Sequence, residues 1–250
     1  MEFLGQVAAW FAEPATWSEA ILPRLGEHLA ISGVSLAASV AMGLPLGLYI
    51  GHTGRWTTVI VALANIGRAV PSLGLMGLAF IVLLPLGLGV GPLPAIAALT
   101  ALGVPPIVVN AHAGLRAVEA DLLEAARGMG MREREVLRHV EIPIGLPVIL
   151  AGVRTSAVQI VATATLATVV GGGTLGELIL IGFAVNDQIR IVGAALVVAV
   201  LSLVTEAAFA RLQAAATSPG LQRGQPRGAR AAEATQADTG PGAARSRVHW

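Results

Sequence analysis

GLRAVEADLLEAARGMGMREREVLRHVEIP, residues 114–143, is the one long polar run set between stretches that are almost pure hydrocarbon. Before it stands LPAIAALTALGVPPIVVNAH (residues 93–112), and after it GLPVILAGVRTSAVQIVATATLATVV (residues 145–170). A helix needs about 20 mostly apolar residues to cross the hydrocarbon of a bilayer. Both flanks meet that length, so the polar run is expected to be a loop joining two membrane-spanning helices. Outward from it, three more stretches qualify, at residues 28–50, 69–90 and 189–209. Lipid offers the backbone no hydrogen-bond partner, so each segment must satisfy itself as a helix. The expected fold is an all-α integral membrane protein with about five transmembrane helices.

The bulk composition points the same way. Hydrophobic residues make up 55% of the chain and charged residues 12%, against about 25% charged in ordinary soluble domains. Mean hydropathy is +0.75. Cysteine is absent, which excludes disulfides, thiolate metal sites and cysteine nucleophiles. Glu2, Glu13 and Glu19 stand where a secretion signal would carry its basic region, so no cleavable signal is expected. Gly43, Pro45, Gly47, Pro85, Pro105 and Pro106 fall within the apolar stretches, where neighbouring helices can re-satisfy the backbone groups they free. Gly43 and Gly47 form a GxxxG pair that admits a second helix at close range. The sequence leaves open whether that helix belongs to the same chain or to another.

Residues 1–27 hold Trp10, Phe11 and Trp17 among acidic and small residues, the pattern of an interfacial helix on the membrane surface. Residues 28–212 contain the spans. In residues 213–250 the composition shifts to Ala, Gly, Pro, Gln and Arg, and a disordered tail is expected. Of the 16 arginines, all but Arg24, Arg154 and Arg190 fall after the first span, in the polar run, or at the end of the last span and in the tail. The positive-inside bias makes that side cytoplasmic. The N-terminus is then expected outside and the C-terminus in the cytoplasm.

Within the polar run, Leu115, Val118, Leu122, Leu123 and Ala126 approximate one helical face. Gly128 and Gly130 supply the freedom for a sharp turn. A second short helix is expected over residues 131–139, with Pro143 stopping it ahead of the next span. An amphipathic helix–turn–helix of this kind can lie on the bilayer or dock into a groove of a cytoplasmic protein. Amphipathicity alone does not choose between them.

The spacing inside the hairpin resembles the signature loop of ABC-importer permeases, Glu-Ala-Ala, three residues, Gly, nine residues, then Ile-x-Leu-Pro. Glu124, Ala125, Ala126 and Gly130 match it, and Val140, Glu141, Ile142 and Pro143 follow after nine residues with conservative aliphatic swaps. NIGRAVPSL (residues 65–73) is similar to the segment opening the family's second core span, and LPVILAGVRT (residues 146–155) to the start of its fourth. GGGTLG (residues 171–176) resembles the glycine-rich stretch before its last span, with Thr174 standing where another glycine is expected and stiffening that turn. Together the likeness covers residues 28–212 and implies the five-helix core of the type I importer permeases.

In that family the loop is a coupling helix seated in a cleft of the ATPase. The resemblance therefore implies Glu124, Ala125, Ala126, Gly130, Val140, Ile142 and Pro143 as coupling residues. It implies a cytoplasmic ABC ATPase dimer carrying ATP and Mg, a second permease chain (identical or homologous), and an extracytoplasmic substrate-binding protein, all in or against the lipid of a bacterial cytoplasmic membrane. General similarity points to the osmoprotectant branch, which moves glycine betaine, choline, carnitine or related compatible solutes. The alternative within the family is another small solute, such as an amino acid.

Polar groups inside the spans are the remaining candidates. A charge in the bilayer costs at least ~2.5 kcal/mol, so Arg154 is expected to snorkel, to pair, or to line a pathway. Gln159 and Thr163 share a helix face, with Thr165 and Thr168 further along. They either line a translocation pathway or bond to their own backbone. Asn186, Asp187 and Arg190 gather at the expected outer mouth. His28, His52, His112, His139 and His249 show no metal-ligand spacing. No phosphate-binding loop ending in Gly-Lys-Ser/Thr is present, so the chain is expected to hydrolyse no ATP itself and to carry no cofactor, metal or catalytic residue. No nucleic-acid motif is present. Ion-coupled secondary transport would want mid-span carboxylates, whereas Glu177, Asp187 and Glu206 lie towards span ends. Aromatics are 4% of the chain with a single tyrosine, Tyr49, so no aromatic cage for a quaternary ammonium is legible.

Overall fold

The computed structural model describes residues 2–217. Helix α1 (Glu2–Ala12) is followed by a π turn (Thr16–Ile21) that runs directly into α2 (Leu22–Thr53). Then come α3 (Thr57–Ala69), α4 (Ser72–Leu83) with a 3₁₀ turn (Leu84–Leu86), and α5 (Pro92–Arg116). The polar run forms α6 (Ala120–Gly128) and α7 (Glu133–Val136), and a π turn (Leu137–Glu141) leads into α8 (Ile142–Thr163). A 3₁₀ stretch (Ala164–Val170), α9 (Gly176–Val185) and α10 (Gln188–Ala216) complete the described residues, among which there is no strand.

Among the described residues, four continuous helical runs are long and apolar enough to cross a membrane: Thr16–Thr53, Pro92–Arg116, Glu133–Val170 and Gln188–Ala216. A fifth is made by Thr57–Gly67 and Ser72–Leu86, bent by 97°. The expected number of spans therefore holds, while the second is not the straight helix expected over residues 69–90. Pro71 explains the break, because its ring drives the preceding residue out of the α region. Val70 sits at φ −73°, ψ 127°, and the two halves splay around it. The first span also starts earlier than expected, inside the segment assigned to the interface. At the other end α10 continues through Ala216, past the expected start of the tail at residue 213, on a run of strong helix formers. The remainder of that expected tail, residues 218–250, lies outside the described residues.

Helix α5 is the centre of the bundle, between α2 and α8. Gly43, Gly47 and Gly51 form a stripe on α2 that meets Ile107, Ala111 and Leu115 on α5; a Cβ placed on Gly47 would lie 2.6 Å from the Ala111 Cβ. The GxxxG pair thus serves packing within this chain. On the opposite side, Gly114 of α5 touches Gly145 backbone to backbone, and Gly152 of α8 faces Asn110. Hydroxyls add a bond across each of the two interfaces. Ser39 Oγ donates to Ser35 O at 2.7 Å and Thr100 O at 3.2 Å, and Ser156 Oγ donates to Gly103 O at 2.9 Å. Small residues and interhelical hydrogen bonds are what hold helices together in lipid, where apolar side chains gain nothing by leaving one hydrocarbon for another. Helix α1 lies along α10, with the Trp10 ring over Gly193 and Phe11 packed on the cluster of Ile21, Leu175, Leu178 and Ala194.

Candidate functional site

The hairpin is built from short-range rules. Glu119 is extended (φ −60°, ψ 136°) and opens α6. After Gly128 the chain turns through Gly130 at φ +87°, a left-handed conformation suited to glycine. Gly130 N–H donates to Arg127 O at 2.9 Å and Met131 N–H to Ala126 O at 3.2 Å, closing the end of α6. The Glu135 carboxylate accepts the Arg132 N–H at 2.7 Å and caps α7.

Two expectations need correction here. The helical face expected from Leu115 to Ala126 is divided, because α5 runs to Arg116 and Leu115 packs within the bundle against Ala111 and Ile149. Leu122 is left 44% exposed. Nor does Pro143 stop the second helix. Ile142 N–H bonds to Leu137 O, five residues back, and this wider π turn makes room for the proline ring at the start of α8. The hairpin is therefore continuous with the span that follows it.

The motif residues occupy two sides of this hairpin. Glu124, Ala125 and Gly130 are exposed, beside Leu122 and the 73%-exposed Met129. Ala126 and Val136 are buried, and Leu137 joins the cluster of Ala111, Leu115 and Ile149. Val140 and Ile142 are half-buried at the root, with Pro143 exposed. One face is held by the bundle and the other is presented outward.

A row of charges runs behind the outward face. Arg127 holds Glu133 through Nε at 2.9 Å and Nη2 at 3.2 Å. That bond keeps the Glu133 carboxyl below its ordinary range and raises the Arg127 guanidinium. His52, at the end of α2, places Nε2 3.6 Å from Glu133 Oε2 and donates from Nδ1 to Glu141 Oε2 at 2.6 Å. Glu141 is only 3% exposed. Neither residue was legible as a site from the sequence: Glu141 fills a variable motif position, and His52 lies 89 residues away from it.

Inside the spans, Arg154 is bound to Glu206 of α10 and donates to Gln213 Oε1 at 3.4 Å, while Gln213 Nε2 donates to Pro147 O at 2.9 Å. Gln159 sits about 140° around α8 from Arg154 at 100° per residue, so the two point to different neighbours. Gln159 and Thr163 are half-buried on successive turns. Thr165 and Thr168 lie on the 3₁₀ stretch, where Thr165 Oγ1 donates to Ala162 O at 3.0 Å. Both border a cavity of about 220 Å³ with Leu166, Val169, Ile179 and Phe183.

At the opposite end from the hairpin, α2 grips the glycine-rich segment. Arg24 holds Glu177 with two 3.1 Å bonds, Glu27 Oε1 accepts Gly173 N–H at 3.0 Å, and His28 Nε2 donates to Val161 O at 2.9 Å. Thr174, fully buried, donates to Ala164 O at 3.0 Å, which fixes that turn. Asp187 caps α10 by accepting Arg190 N–H at 3.0 Å, and Asn186 ends α9 in a left-handed conformation, so this group does turn-forming work.

Among the described residues, five apolar spans, one of them broken, and a polar hairpin leading straight into the fourth make a multi-pass membrane bundle. The chain belongs to the family of binding-protein-dependent transport system inner membrane components, whose model matches residues 43–217. It is similar to the glycine betaine/carnitine/choline transport system permease protein OpuCB of Bacillus subtilis (strain 168), 38% identical over 202 residues, covering 81% of this chain and 91% of that protein. It is similar also to the osmoprotectant import permease protein OsmW of Salmonella typhimurium, 34% identical over 196 residues, 78% of this chain and 91% of that one. Among solved structures, the inward-facing MetNI methionine ABC transporter superposes with a TM-score of 0.70 at 24% identity, over 82% of this chain and 99% of that one. The fold expected from the sequence holds, and the chain is a permease component of such a transport system.

Proposed function

We propose that this chain, paired with a second permease chain, forms the translocation pathway of an ABC importer for compatible solutes such as glycine betaine, choline or carnitine. The solute class rests on the relatives that carry those names at 34–38% identity. In this reading the hairpin, residues 114–143, faces the cytoplasm and seats Glu124, Ala125 and Gly130 in a cleft of an ATPase dimer that supplies ATP and Mg. Val140, Ile142 and Pro143 form its root. The observation that carries this is the two-sided hairpin, with motif residues outward and Ala126, Val136 and Leu137 anchored to the bundle. Gln159 and Thr163, with Thr165 beyond, are the pathway-lining candidates, and Arg154 acts through its pair with Glu206. Solute selection is assigned to an extracytoplasmic binding protein. The membrane is a bacterial cytoplasmic one, with the N-terminus outside and the C-terminus in the cytoplasm.

The test is uptake of radiolabelled glycine betaine and choline into vesicles holding this chain, its ATPase and its binding protein. Proline cannot adopt the positive φ of Gly130, so Gly130→Pro is expected to abolish ATP-driven uptake with the complex still in the membrane. Uptake of neither solute, with the ATPase still co-purifying, would remove the solute assignment and keep the permease. Absence of any co-purifying ATPase would remove the docking role of the hairpin.

A further inference from the structure

We infer that His52 is the positioning residue that transmits movement of the hairpin to α2. Among the described residues it is the α2 side chain that bonds or ion-pairs with the hairpin, and it does so at two points. Its ring has a carboxylate at each nitrogen, Glu141 at 2.6 Å and Glu133 at 3.6 Å. Glu133 in turn carries Arg127 of α6 at 2.9 Å. Charge-assisted contacts therefore run from α6, the helix that bears the Glu124–Ala125 face, through α7 to the end of α2. Glu141 lies in the π turn at the root of α8, so the same ring also meets the base of the next span.

What lies beyond His52 gives the link its consequence. One residue before it, Gly51 starts the close seam between α2 and α5, where a Cβ would come within 3.0 Å of Leu115. A helix zipped this tightly moves with its partner, since packed interfaces shift between discrete arrangements and do not deform smoothly. Displacement of α6 reaches α2 by the polar link and α5 by the seam. The apolar contact of Leu137 with Leu115 and Ile149 anchors the hairpin to α5 and α8, but a greasy contact can slide where the short, directional bond from His52 to Glu141 cannot. His52 thus makes hairpin and α2 a single moving body.

The link matters for transport only if the hairpin docks on the ATPase, so it rests on that reading of the function. The experiment compares wild type, His52→Phe and the double variant His52→Phe/Glu141→Gln in vesicles holding the complete importer. Phenylalanine fills the space of the ring without either contact, and the double variant also removes the unpaired buried carboxylate that would weaken the fold. Solute uptake and ATP hydrolysis are measured together, with the amount of co-purified ATPase. The expected result is wild-type ATPase content with uptake per ATP hydrolysed reduced about tenfold, within the usual span of coupling between distant sites, in both variants. A ratio equal to wild type in His52→Phe overturns the inference. So does a ratio restored in the double variant, because His52 would then serve only to neutralise Glu141, and so does a parallel loss of uptake and hydrolysis. Failure of the wild type to hold its ATPase refutes the docking reading itself and is seen before any variant is compared.

Discussion

The seam between α2 and α5 and the contact between α8 and α10 are both helix pairs in lipid, yet they are held by opposite means. Along α2 and α5, backbones close up until only hydrogen fits at Gly47, and Ser39 adds a hydroxyl bond across the gap to Thr100. Helix α10 turns a broad apolar surface outward, with Val200, Leu203 and Val204 exposed. It is fixed to α8 by the Arg154–Glu206–Gln213 group. The difference follows from the solvent. Apolar side chains gain little by exchanging lipid for each other, so a helix pair needs either small residues that let dispersion contacts accumulate or polar groups with nowhere else to go. The buried seam uses the first device and the peripheral helix the second.

The sharpest way to break that contrast is Gly47→Val. Branched carbons would be forced into the space held by Ala111 and Val108, and overpacking of this kind costs about 3 kcal/mol. Little assembled protein is expected after detergent extraction, read as the folded fraction by size-exclusion chromatography. Glu206→Ala comes next, because it leaves Arg154 without its carboxylate. A lower thermal midpoint is expected, smaller in effect than at Gly47, and Arg154→Leu/Glu206→Leu should recover most of it, since replacing both partners with apolar groups removes the stranded charge. Recovery absent in the double variant would mean that the pair does more than locate α10. The smallest effect belongs to Arg24→Ala at the N-terminal end of α2. An exposed ion pair is worth about 0–1 kcal/mol, and the loss should shrink further when the midpoint is measured at 1 M salt.

The ends of α2 extend the comparison. At the N-terminal end its links to Glu177 and Gly173 are exposed or partly so. At the hairpin end the link to Glu141 is shielded. Shielding raises the worth of a charged contact, since the local dielectric is lower. A link that transmits force belongs at the shielded end, where His52 stands.

Span number, the place of the polar hairpin and the spacing of its motif residues were readable in the amino-acid sequence. Each is a local property: bilayer thickness sets the length of an apolar run, and the Glu124 to Pro143 spacing is contiguous. The bend at Val70 also had its local cause in Pro71. The helix before it, residues 57–69, fell in an expected loop because Asn65 and Arg68 interrupt its apolar run.

Tertiary structure alone decided the rest. Glu141 to His52 and Arg154 to Glu206 join residues 89 and 52 positions apart, and no periodicity in one helix says which side chain of another will face it. The glycines at 43 and 47 announced a close neighbour but not its identity, which depended on how α5 lies between α2 and α8. In a bilayer the sequence fixes what must be buried in hydrocarbon, because that cost is paid residue by residue. Which polar group meets which is settled only when the helices pack, because an unpaired group in lipid takes whatever partner the packed bundle brings within reach.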